Sequence, residues 1–133
     1  MPVPKLIPIT HEPDYRTDTI GRYDDGLFLA GGWDRHIYVH LFTPSGAYRH
    51  STIKQVPDRT GMESELQALI ADLPGKVYGD IAVELFRTHH DGILFGLIDE
   101  SGDRAGDGGH IDWVELHPDR LGFHEPWDGL YDT

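Results

Sequence analysis

Two Asp-Gly dipeptides, Asp25-Gly26 and Asp91-Gly92, each stand between runs in which apolar and polar residues alternate. Asp-Gly tolerates the positive φ of a tight hairpin turn, and period-two alternation gives a strand one apolar face. Residues 19–23 and 27–30 form one such pair around Asp24-Asp25-Gly26, with Gly31-Gly32 expected to end it. Residues 77–88 and 93–99 form the stronger one, with Ile81, Val83 and Leu85 facing Ile93, Phe95 and Leu97. Between them, residues 36–42 alternate Ile37, Val39 and Leu41 on one face with Tyr38, His40 and Phe42 on the other. Thr43-Pro44-Ser45-Gly46 is a turn, because proline suits its second position and glycine its left-handed exit. Residues 47–56 should then return antiparallel, and residues 111–116 give a last short strand.

One segment has the other period. Met62, Leu66, Leu69, Ile70 and Leu73 follow helical spacing after Thr60-Gly61-Met62-Glu63, which has the form of a capping box, and Pro74-Gly75 stops the helix after about three turns. The expectation is an α+β fold, mostly antiparallel sheet built of hairpins with one amphipathic helix on one face. A chain of 133 residues suits a single domain over residues 1–133. Residues 1–16 hold four of the nine prolines and read as an extended N-terminal arm. Residues 100–109, rich in glycine and acids, read as a mobile loop, and residues 117–133 as a docked irregular tail.

Eleven Lys and Arg against 23 Asp and Glu leave a net charge of −12. That balance argues against nucleic acid, which requires clustered cations, and against an anionic membrane surface. No stretch has the roughly 18 apolar residues of a spanning helix. The absence of cysteine removes disulfides, thiolate catalysis and Cys-ligated zinc. The first residues show no basic flank followed by an apolar stretch, so a cytoplasmic protein is expected.

Nine histidines raise the question of a metal. His36 and His40 share a strand face about 13 Å apart, too far for one ion. His89-His90-Asp91 falls at a hairpin tip, where neighbouring side chains diverge. His110, Asp112, His117 and His124 are the candidates that could converge, although no ligand spacing assigns them. The acidic run 99–109 lacks the ligand positions of a calcium loop. The carboxylate pairs Asp24-Asp25, Asp80 with Glu84, and Glu125 with Asp128 divide acid and base roles only if their environments differ. No nucleophile elbow, phosphate loop or dinucleotide fingerprint occurs, and no cofactor is implied. In the tail, Trp127 and Tyr131 supply amphipathic contact area beside Asp128 and Asp132; with Asp103 and Asp107 they are the candidate partner-binding residues.

Residues 11–23, Tyr78-Gly79-Asp80-Ile81-Ala82, Asp91-Gly92-Ile93-Leu94-Phe95-Gly96-Leu97 and residues 118–133 resemble the small bacterial proteins named formate hydrogenlyase regulatory proteins. The resemblance spans most of the chain and is densest at its ends. It implies a regulator acting through protein contacts. The first expectation is therefore a non-enzymatic regulatory or protein-binding module with a protein partner, the net acidity favouring a basic one, and with pairing of two copies through a sheet edge left open. The alternatives are a small metal-assisted enzyme using the His and carboxylates of the C-terminal third, and an immunity-type protein that neutralises a basic toxin.

Overall fold

The computed structural model describes residues 2–104 and 109–132. Its elements are β1 (Ile7–Ile9), β2 (Ile20–Tyr23), β3 (Gly26–Trp33), β4 (His36–Phe42), β5 (Tyr48–Gln55), α1 (Met62–Ile70), β6 (Val77–Tyr78), β7 (Ile81–Val83), β8 (Phe86–His90), β9 (Ile93–Asp99), β10 (Gly102–Arg104), β11 (Gly109–Ile111), β12 (Val114–His117) and β13 (Leu121–Phe123). A five-stranded sheet, ordered β5-β4-β3-β2-β6, and a four-stranded sheet, ordered β13-β12-β9-β8, are both antiparallel, as are the pairs β1-β7 and β10-β11. The expected α+β architecture with one helix is the one found.

The alternation along β4 sets the layers. Ile37 and Val39 join Phe28, Ala30, Val56, Leu66 and Ile70 in an apolar core between the five-stranded sheet and α1. Tyr38 and Phe42 point the other way, into a larger core with Phe86, Phe95, Leu97, Val114, Leu116 and Phe123 of the four-stranded sheet. β4 is thus buried on both faces, and helix, sheet and sheet stack as three layers.

Several local expectations are overturned. Gly31-Gly32 does not end a strand. β3 runs on to Trp33 and turns at Asp34 (φ 43°) and Arg35 (φ 63°). The glycines make room for neighbours instead: a Cβ on Gly31 would lie 2.7 Å from Tyr38 Oη, and one on Gly32 2.8 Å from Met62 Cε. Residues 77–88 are three strands, not one, because β6 pairs with β2, β7 with β1 and β8 with β9. Each change of partner resets the facing of the side chains, so Phe86 is buried and Leu85 is exposed.

The capping box does not form. Asp58 Oδ1 accepts the amides of Thr60 and Gly61 (2.9 and 3.4 Å), and Glu63 Oε1 accepts Gln67 Nε2 (3.1 Å) rather than reaching back. Asp58 thus closes the turn before the helix, and no side chain caps the first turn of α1 itself. Inside the expected N-terminal arm, β1 pairs with β7 and buries Ile7 and Ile9. Inside the expected loop, β10 pairs with β11; residues 105–108 lie outside the described part. The last expected strand is split between β11 and β12. The expected irregular tail contains β13 and a bridge between Gly122 and Asp132. Composition suggested a coil in the arm, the loop and the tail; a distant strand orders the arm, and local hairpins order parts of the other two.

Candidate functional site

The two ends of the chain meet. Thr10 donates its amide to the Gly129 carbonyl (3.0 Å) and its hydroxyl to the Asp128 carbonyl (3.2 Å). Beside this contact the tail lines a groove of about 210 Å³ with His124, Glu125, Pro126, Asp128, Leu130, Tyr131 and Asp132. A second groove of about 270 Å³ shares His124 and Glu125 and adds His110, Ile111 and Asp112. Among the described residues no Lys or Arg lines either groove.

The walls are held by side-chain contacts. His124 stacks flat on Trp113 (centroids 5.0 Å apart, 2° between planes), and its Nε2 lies 2.8 Å from Asp132 Oδ2. Gly122 lets Trp113 lie there, since a Cβ would meet the indole at 1.9 Å. His110 Nε2 lies 3.0 Å from Asp112 Oδ1 and its Nδ1 3.4 Å from Asp103 Oδ1. The Asp112 hydrogen bond is the main reason that the His110 pKa is raised. Carboxylates therefore favour the cationic form of this ring.

Of the sequence candidates, His110, Asp112 and His124 come together in one groove, and Asp128, Tyr131 and Asp132 in the adjoining one. Trp127 and Tyr131 pack against the inter-sheet core, so most of their area is structural. Asp103 is an exposed neighbour of His110, and Asp107 lies outside the described residues. His117 is elsewhere, on β12 within 3.3 Å of Glu100 Oε1 and 3.5 Å of Glu115 Oε2. Among the described residues no three His, Asp or Glu side chains are placed to hold a metal ion.

A third recess, of about 330 Å³, has no signal in the sequence spacing. It is lined by His11, Pro13, Asp14, Asp18, Thr19, Glu63, Gln67 and Tyr78. Pairing of β2 with β6 brings Tyr78 under His11, whose ring stacks on it (5.8 Å, 3°), and α1 supplies Glu63. Burial first, and then the negative charge of Glu63, raises the Asp18 pKa. Through Thr10 and His11 this recess adjoins the tail grooves, so the termini form one acidic flank.

The interior holds a serine–histidine contact. Ser51 Oγ is 2.5 Å from His40 Nδ1 and 2.7 Å from Tyr48 Oη. His40 is fully buried among Tyr38, Phe86 and Phe95, and burial lowers its pKa to about 3. Such an imidazole is a poor proton acceptor at neutral pH, so the contact serves the core rather than a nucleophile. No protein family, curated protein or solved structure matches the chain. Among the described residues no helix is long and apolar enough to cross a membrane.

Proposed function

We propose that the protein is a non-enzymatic regulatory or binding module whose acidic flank engages a basic segment of a partner protein. The observation that carries this reading is the pair of tail grooves in which Asp112, Asp128 and Asp132 gather, with no Lys or Arg lining them among the described residues. Exposed Leu130 and half-buried Tyr131 offer apolar contact beside the carboxylates, the mixture that a Lys or Arg side chain uses for its stem and its head. The resemblance to formate hydrogenlyase regulatory proteins supports a role exercised through protein contacts, and a basic toxin is one partner of the required chemistry.

The test is titration with a lysine- and arginine-rich peptide, followed by NMR shifts of the tail amides at rising salt. Binding should centre on residues 110–112 and 124–132 and weaken steadily with salt. Asp112→Asn with Asp132→Asn should lower affinity about tenfold, since single exposed pairs contribute little and two are removed. Shifts confined to other surfaces, or affinity indifferent to both salt and substitution, would refute the reading.

A further inference from the structure

The sheet edges are treated unequally. β6 covers the outer edge of β2, and the tail covers that of β13, where Gly122 and Asp132 exchange amide-to-carbonyl bonds of 2.7 and 2.9 Å. At the opposite side of both sheets, β5 and β8 each pair with one neighbour only among the described residues. These two open edges lie together, with the Tyr48 and Phe86 rings stacked 4.7 Å apart. β5 is eight residues long, and alternate residues of an antiparallel edge strand turn their amide and carbonyl groups outward.

The open side also has the reverse charge. Neither Tyr48–Gln55 nor Phe86–His90 contains an acid in a chain with 23 of them. Arg49, His50, Lys54, Arg87 and His89 are exposed along it. Lys54 pairs with Glu65 (3.0 Å), whereas Arg49 donates to the Asp25 carbonyl (3.3 Å) and makes no ion pair among the described residues. A second copy does not suit this edge. In the two-fold register that overlaps the whole of β5, Arg49 would stand opposite Lys54 of the other copy, twice, with no acid between. The −12 charge opposes an acid at long range, but that repulsion is screened beyond about 8 Å at physiological salt.

We propose that β5 is a docking edge for an extended acidic segment of a partner protein, which adds as a further antiparallel strand beside Arg49, Lys54 and Arg87. Main-chain bonds would supply affinity, and the cations would select acids. This surface is separate from the acidic flank, so the protein would join two partners of opposite charge.

The probe is a blocked peptide of alternating valine and glutamate, with its lysine counterpart as control, added to the full chain. Slowed hydrogen exchange at outward-facing amides of residues 48–55 is expected with the glutamate peptide alone. Arg49→Glu with Arg87→Glu should weaken binding about tenfold or more, while the basic peptide still binds the acidic flank. An Arg49→Lys, Arg87→Lys variant, which keeps charge and fold, should bind like the parent. Equal binding by the charge-reversed protein, protection elsewhere in the chain, or a dimer whose β5 amides are already protected without peptide would overturn the proposal.

Discussion

The two faces of β4 support cores of different chemistry. Toward α1 the packing is almost wholly hydrocarbon, with Ile37, Val39, Phe28, Leu66 and Ile70 and, among the described residues, no fully buried titratable side chain. Toward the four-stranded sheet the same strand presents Tyr38 and His40. Tyr38 Oη donates to Asp119 Oδ2 (3.1 Å), and burial, then the negative charge of Asp119, holds the phenol protonated. Asp119 sits in the turn between β12 and β13. Its carbonyl accepts Arg16 Nη2 (3.3 Å), its Oδ1 is buried with no hydrogen-bond partner among the described residues, and burial raises its pKa to about 6. The helix-side core adds cohesion that is blind to pH. The inter-sheet core ties the arm, β4 and the β12–β13 turn through groups whose ionisation is expensive to bury.

The largest effect that could break this contrast comes from the helix side. Ile70→Ala removes a fully buried side chain from α1 and should cost about 2–5 kcal/mol. The loss should be the same at pH 7 and pH 4 when measured by denaturant unfolding. A pH-dependent loss would mean that the two cores are not chemically separate.

His40 should give the next largest effect. Its folded pKa, about 3, lies below the ordinary 6.5, so the unfolded chain binds the extra proton between those values. The stability of the neutral, buried ring is complete above pH 6.5 and is lost as pH falls toward 3, about 3 kcal/mol of it by pH 4. His40→Leu should remove that loss, seen as a smaller fall in unfolding free energy from pH 7 to pH 4 than in the parent.

Asp119 has the opposite sign and a smaller effect. Its folded pKa, about 6, lies above 3.8, so the folded chain binds the proton more readily and gains stability as pH falls through 6. Partial solvent access reduces the gain to about 1–2 kcal/mol. Asp119→Asn should therefore make the acid-side decline steeper than in the parent. If both variants had the parent's pH profile, the inter-sheet core would not be where the pH response resides.

How much of this was legible depended on the range of the interaction. Strand β4 occupies residues 36–42, as its alternation indicated, and Asp91-Gly92 turns with positive φ at both residues. Both features rest on neighbours in sequence. The break at Leu85 was hidden, because it arises where the chain changes strand partners rather than from any local breaker. The grooves were half visible. Asp112, Asp128 and Asp132 were picked out as charged residues of the C-terminal third, but the cleft of His11, Asp18, Glu63 and Tyr78 joins segments that no spacing relates.

Hairpin positions, the helix and the net charge follow from the residue order alone, because turn chemistry and side-chain period act over a few residues. Which histidine is buried, which aspartate meets Tyr38, and where 23 acids gather depend on packing between segments as distant as Tyr38 and Asp119. Burial and the field of neighbouring charges are properties of the assembled layers. They turn a uniformly acidic composition into a molecule with an acidic flank, a cationic open edge and a titrating core between its sheets.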